Sequence, residues 1–386
     1  LRQPFQKCSP GGSSVVYMLD KRRIICDTSC EIYSEIKHLV DDTFWEFDQP
    51  QANSITIFAR QTVNRHYAKI KALAQAGFFL PVLANPSEGS IVLKLQCQRL
   101  GLLDLITQKK MLLVGCGDME SDLNCMVYDC YLNRVIGYEQ NVEQSSRAHE
   151  IYSKINKPYK FLFLNGRTRP HRKYMIEKMR DANLLEHALW TNLDITPVYH
   201  HTYNTDILNR ESVIHLLPDQ YEVERYHSNI QNQFEHAFVK HELFNNQWGD
   251  VYIRAEPYID TYFSLVSETV FDYPYSLRSE KIYKPIAMGH PFVAVANRGF
   301  YRDLRNTGFK TYHNLIDESF DQIDNNQDRL DRITHVVRDL CASDLDEFLV
   351  AAQAISKYNQ QHMAALGPRI SQEFPDRFWR FLQQHQ

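Results

Sequence analysis

Short apolar runs alternate with segments of helical periodicity from residue 54 onward, the pattern of successive βα units. Ile55-Thr56-Ile57-Phe58-Ala59 has the length and β-branching of a buried strand. Residues 65–77 read as a helix with Ala68, Ile70, Leu73 and Ala74 inward and Gly77 as its stop. A second strand over 78–83 contains Pro81 and closes on a turn at Asn85-Pro86, and helix 91–100 comes next. Met111-Leu112-Leu113-Val114 predicts a third strand, Val135-Ile136-Gly137-Tyr138 a fourth, and residues 144–155 a helix. Ahead of this series, residues 1–53 are irregular apart from a strand over 14–19 and a short helix over 32–40.

A second series opens at Lys157-Pro158. Lys160-Phe161-Leu162-Phe163-Leu164 predicts a fully buried strand, and a polar turn over 165–170 leads to a helix over 171–183. Residues 194–248, rich in His, Tyr, Asn and Gln, read as an insertion. Strand 262–266, helix 279–288, strand 291–296, a short helix over 301–306 and a last strand over 309–312 complete the unit. From residue 327 the spacing of Leu330, Ile333, Val337 and Leu340 is helical. The fold class expected is α/β, with two Rossmann-like domains facing across a cleft and a helical C-terminal tail. The divisions are 1–156, 157–345 and 346–386, and a ligand is expected at the carboxyl ends of the strands between the domains.

Composition narrows the chemistry. The 386 residues carry a net charge of −4 and are 44% hydrophobic, which excludes a disordered chain and a polybasic surface for nucleic acid or anionic lipid. No run of about 18 apolar residues occurs, so no membrane span is expected, and the reading is a cytoplasmic protein. The eight cysteines include no Cys-x-x-Cys pair and are expected as reduced, partly buried thiols. No metal is expected. Asp344-Leu345-Asp346 falls in the helical tail as a solvated face, and His200-His201 has no third ligand at helical spacing.

Two segments carry candidate binding chemistry. Asn165-Gly166-Arg167-Thr168-Arg169-Pro170-His171-Arg172 places three arginines within six residues where a strand ends and a helix begins. Helix-terminal amides and guanidinium forks together suit a phosphate. Ser279-Glu280-Lys281-Ile282-Tyr283 opens a helix leading to the strand Phe292-Val293-Ala294-Val295. A carboxylate there would take sugar hydroxyls, and a lysine beside it would neutralise a phosphate.

These two blocks together, over residues 160–312, resemble the fucosyltransferase-like glycosyltransferases of the GT-B fold, of a type seen in uncharacterised bacterial and viral proteins. The resemblance implies a nucleotide-sugar donor, GDP-fucose in the family's better-known members, and a glycan, protein or small-molecule hydroxyl acceptor. It implies that Arg172 binds the donor diphosphate, which the basic segment holding Arg167 and Arg169 also suits, that Glu280 holds donor hydroxyls and Lys281 the phosphate, and that Tyr283 lines the pocket. The chain departs from the family before the Glu-Lys element, where Val266-Ser267-Glu268-Thr269 stands in place of an asparagine. Inversion without a metal needs a carboxylate base from the N-terminal domain. Glu88, Asp118, Glu120 and Glu139 are the candidates. Glu88 in a polar turn and Asp118 just after a strand are the better placed.

Two other readings compete. Gly115-Cys116-Gly117 after an apolar strand, with Glu139 22 residues beyond Gly117, imitates the S-adenosylmethionine turn of a methyltransferase, although Asp118 and Glu120 crowd it with negative charge. A nucleotide- or carbohydrate-binding module without catalysis would use the same aromatic-rich composition of 22 Tyr and 21 Phe.

Overall fold

A computed structural model describes residues 22–118, 124–165, 169–192 and 253–385. The expected strand over 14–19 and the expected insertion over 194–248 lie outside the described residues. The first half of the chain builds a six-stranded parallel sheet. Its strands are β1 (Arg23–Asp27), β2 (Asp42–Phe44), β3 (Ser54–Phe58), β4 (Phe79–Gly89), β5 (Leu112–Cys116) and β6 (Cys125–Val127), in the order β2-β1-β3-β4-β5-β6. Helices α1 (Tyr33–Ile36), α2 (Arg60–Gln75), α3 (Ser90–Arg99) and α4 (Leu103–Thr107) connect them, and α5 (Cys130–Gly137), α6 (Glu139–Ser146) and α7 (Ala148–Ser153) come after the last strand.

The second sheet has four parallel strands, β7 (Phe161–Asn165), β8 (Ala188–Asn192), β9 (Phe263–Ser267) and β10 (Phe292–Val295), in the order β10-β9-β7-β8. Its helices are α8 (Pro170–Asp181), α9 (Ala255–Ile259), α10 (Glu280–Ala287) and α11 (Phe300–Asn306), and α12 (Asn326–Ala342) and α13 (Leu345–Gln383) end the chain. Both sheets run second, first, third, fourth in chain order, so each reverses direction beside its first strand. Such a reversal leaves a crevice at the strands' carboxyl ends, here between β1 and β3 and between β7 and β9. The protein is therefore α/β with two parallel sheets, each wound in the same sense of strand order.

Strands β3, β5, β9 and β10 are buried along their whole length, with both faces covered, whereas the edge strand β2 is not. In the first sheet Ile55, Ile57, Val82, Leu112 and Val114 join a core that continues into the second sheet. Phe58, Phe79, Leu83 and Leu113 turn to a separate core with Phe47, Val63 and Ile70. The seven described cysteines are buried with free thiols. No helix among the described residues is long and apolar enough to cross a membrane.

Several elements differ from expectation: β1 and β2 lie in the segment expected to be irregular, and β6 and β8 stand where no strand is expected. The turn at Asn85-Pro86 is the irregular end of a longer strand: Pro81 stays in register with Thr56, and the pairing to β5 shifts between Ala84 and Gly89. Val135 to Tyr138 is not a strand, because Val135 belongs to α5, where Tyr131, Leu132 and Val135 are buried at helical spacing. Residues 309–312 have no neighbouring strand to pair with among the described residues. Asn359 substitutes for one, its amide accepting from Lys310 N and donating to Lys310 O, both at 2.8 Å.

The tail is not an appendage of the second sheet. Near its start, α13 takes the Tyr262 hydroxyl on Asp346 at 3.1 Å, and Asp344 caps its first turn, so this acidic pair is engaged by the protein rather than simply solvated. Farther along, Gln360 donates to Ala287 O and Ser145 O. Gly367 lets the helix close on α5, since a Cβ there would stand 2.8 Å from Leu132. Beyond it Phe374 stacks on Tyr128 at 4.0 Å, next to the first sheet. Phe374→Ala is expected to destabilise the protein by about 3–5 kcal/mol in equilibrium urea unfolding, as for a fully buried aromatic. A loss below about 1 kcal/mol, typical of a surface site, would contradict the packing of α13 against the first sheet.

Candidate functional site

The crevice between β7 and β9 is lined by the segments that leave these two strands. After β7, Arg169 is the residue before α8, and Pro170 opens the helix where a missing N–H costs nothing. Arg172, only 3% exposed, donates from Nη2 to the carbonyls of Glu268 at 3.0 Å and Ser267 at 3.2 Å. Its guanidinium is thus built into the floor of the crevice. His171 Nε2 lies 2.9 Å from the Glu268 carbonyl, and burial, with Arg172 adding to it, keeps this imidazole well below its ordinary pKa.

After β9 comes Glu268, fully buried. Its carboxylate accepts from Thr269 N at 3.0 Å, Ser279 N at 3.1 Å and the Ser279 hydroxyl at 2.5 Å. Burial raises its pKa, while Lys281 and Ser279 pull the other way. Ser279 also caps α10, accepting from Lys281 N at 3.3 Å. The Lys281 ammonium reaches the buried Glu280 carboxylate and lies 3.2 Å from the Thr269 hydroxyl. The Ser-Glu-Lys element and the first turn of α8 therefore meet, with Glu268 joining them.

Further charged residues stand at the carboxyl ends of the first sheet. Glu88, near the end of β4, is held by Arg60 Nη1 at 3.0 Å. Burial raises the Glu88 pKa, and the guanidinium groups of Arg60 and Arg169 oppose that rise. Arg169 comes from the second sheet, so Glu88 lies in the field of a cation supplied from across the seam. Next to it, Glu31 accepts from Ser87 Oγ at 2.6 Å and pairs with Arg134 at 3.5 Å.

The segment between β9 and α10 crosses to the first sheet and is fastened there. Val92 N donates to the Tyr273 hydroxyl at 3.1 Å, and Asp118 N donates to the Ser276 carbonyl at 2.7 Å. Arg278, 4% exposed, pairs with Asp118 at 3.1 Å and with Asp129 at 3.5 Å. The Tyr283 hydroxyl donates to Asp129 at 2.5 Å. Burial raises the Asp129 pKa, with Arg278 and Tyr283 opposing.

This crossing changes the roles expected of several residues. Tyr283 joins the two halves through Asp129, and Asp118 is engaged by Arg278. The Gly115–Gly117 turn serves the chain's own fold: Gly117 has a φ of 74°, and a Cβ there would lie 2.5 Å from the Ser276 carbonyl. Glu139, expected one strand beyond, instead opens α6 and is exposed. Arg167 and Glu120 lie outside the described residues. Sequence reasoning misses Arg60, Asp129, Tyr273 and Arg278. Arg278 directly precedes the Ser-Glu-Lys element, and that adjacency is the one signal the sequence offers for it.

Compared with known proteins, the chain matches no family model, no curated protein and no solved structure. The geometry alone thus bears on what the site does.

Arg278→Met removes the cation between two carboxylates and leaves Asp129 buried without its charge partner. A loss of about 3–5 kcal/mol in urea unfolding is expected, with part of it restored when Asp129→Asn is added. Additive single-variant effects would mean that Arg278 and Asp129 do not interact.

Proposed function

We propose that the protein is a glycosyltransferase of the GT-B type, transferring sugar from a nucleotide-sugar donor to a hydroxyl acceptor with inversion and without a metal. The donor diphosphate lies at the crevice between β7 and β9, where Arg169, the first turn of α8 and Lys281 supply positive charge. Arg167 stands two residues before Arg169 in the sequence, and Arg172 is bonded to the Glu268 carbonyl beneath the start of α8. Glu280 is held by Lys281 beside the place where donor hydroxyls would arrive. GDP-fucose is the donor that the family resemblance suggests.

In this reading Glu88 is the general base. It takes the acceptor proton as the acceptor oxygen attacks the anomeric carbon, and the diphosphate leaves toward Arg169 and Lys281. The observation that carries the proposal is the set of bonds that joins the first turn of α8 to the Ser-Glu-Lys element through Glu268, Arg172 donating to the Glu268 carbonyl at 3.0 Å and the Ser279 hydroxyl to its carboxylate at 2.5 Å. Glu88 is preferred to Asp118 because Arg278 and the Ser276 carbonyl tie Asp118 into the joint. No observation favours the methyltransferase reading, since Ser276 fills the turn it would use.

A thermal-shift panel separates the classes. A nucleoside diphosphate, GDP or UDP, at 100 times its dissociation constant stabilises the native state by about 2.7 kcal/mol, which raises the melting temperature by roughly 5–10 °C. S-adenosylmethionine is expected to give no shift. A shift with S-adenosylmethionine alone would overturn the glycosyltransferase reading, and silence from every ligand would favour a module without nucleotide chemistry. With a donor in hand, Glu88→Gln is expected to lower kcat by about 10²–10⁴-fold without weakening donor binding. Unchanged kcat would remove Glu88 from the reaction.

A further inference from the structure

Glu88 belongs to the irregular end of β4, and its backbone is fixed on both sides. Ser87 before it donates from N and from Oγ to Glu31, at 3.1 and 2.6 Å. Gly89 after it stands in register with Cys116 of β5. The carboxylate itself is held by Arg60, whose Nη1 donates to Oε1 at 3.0 Å, the two side chains being 21% and 20% exposed. Arg60 is the first residue of α2, and the fully buried Asp27 at the end of β1 fixes that turn. Asp27 accepts from Ala59 N at 3.3 Å and from the Thr62 hydroxyl. The guanidinium is thus aimed by β1 through the helix, and the carboxylate by β4.

We propose that Arg60 is a positioning residue of the reaction, aiming the Glu88 carboxylate and keeping it ionised to receive the acceptor's proton. This rests on the glycosyltransferase reading and adds to it a residue that acts through the base. Burial alone favours the protonated acid, which accepts no proton, and the bonded guanidinium opposes that. Three other charged or titratable groups act on Glu88: Arg169 ahead of α8, Glu31 in the loop after β1, and the Cys116 thiol at the end of β5. Glu31 is engaged by Ser87 and Arg134, and burial keeps Cys116 a neutral thiol. Arg60 is the cation bonded to the carboxylate, and so the one that fixes its direction as well as its charge.

Hydrolysis of GDP-fucose follows the step, with water in the acceptor's place. The water gives its proton to Glu88, its oxygen bonds the anomeric carbon, and the bond to GDP breaks with the electron pair leaving on the diphosphate. A base must be ionised to act, so kcat falls as pH drops through the Glu88 pKa. Losing Arg60 raises that pKa and moves the fall to higher pH. Arg60→Met is therefore expected to shift the acid limb upward, with kcat below the limb reduced about tenfold or more and the KM for GDP-fucose unchanged. Arg60→Lys keeps the cation and is expected to return the limb to its wild-type position with part of the rate. In a Glu88→Gln background, Arg60→Met is expected to cost no further activity, because the two side chains act as a unit. Should Arg60→Met not fold, Arg60→Gln, which keeps a donor and removes the charge, makes the same test of the limb. An acid limb that stays in place without the cation, or losses that add in full in the double variant, would overturn the positioning role and leave the glycosyltransferase reading standing. If the wild-type protein hydrolyses neither GDP-fucose nor UDP-glucose, the reading itself falls, and the inference with it.

Discussion

Arg278 sits between two carboxylates of the first sheet, Asp118 and Asp129, and its neighbour Ser279 caps the helix that carries Glu280 and Lys281. Once that guanidinium is buried it has to stay paired, because an uncompensated charge inside protein is costly. The pairing therefore determines where α10 begins. It also explains why Gly117 must be glycine-like in backbone, since the Ser276 carbonyl approaches it at the distance where a Cβ would collide. Tyr283 adds a second bond to Asp129 one turn into the helix. The helix that caps the candidate donor crevice is thus anchored on the opposite sheet.

This constraint brings the carboxyl ends of the two sheets together. Each sheet by itself has a crevice where its strand order reverses, and each would be an ordinary ligand site. The crossing segment joins them, with Tyr273 accepting from Val92 N, Ser276 from Asp118 N, and Arg278 paired with Asp118 and Asp129. In the proposed reaction an anion departs as a proton is removed, which calls for cations on one side and a carboxylate of raised pKa on the other. The long helix α13 supports the same arrangement from behind. It touches Tyr262 by the second sheet at its start and Tyr128 by the first sheet near its end.

Much of the fold is legible in the sequence because periodicity reports local burial. Buried strands such as β3, β5, β7 and β10 appear as uninterrupted apolar runs, and the helices between them carry their own stops. The exceptions arise where a local rule meets a tertiary constraint. Pro81 reads as an interruption, yet β4 runs through it between two strands. A four-residue apolar run at 135–138 has no period of its own, so the burial of Tyr131 and Leu132 one turn earlier decides it as helix. In the candidate site, the arginine loop and the Ser-Glu-Lys element are visible as charge placed at element boundaries. Arg60, Asp129 and Arg278 are not, because each acquires its role from a partner far away in the chain: 28 residues separate Arg60 from Glu88, and 160 separate Arg278 from Asp118.

A single ligand held where the two sheets meet should leave its mark on both of them. Hydrogen exchange measured with and without GDP-fucose tests this most directly, because amide protection reports the location of binding independently of turnover. Added protection is expected at residues 169–173 and 279–283 together, with a smaller change at 86–92 on the opposite sheet. Protection confined to residues 112–118, or to one side of the seam alone, would contradict a shared site.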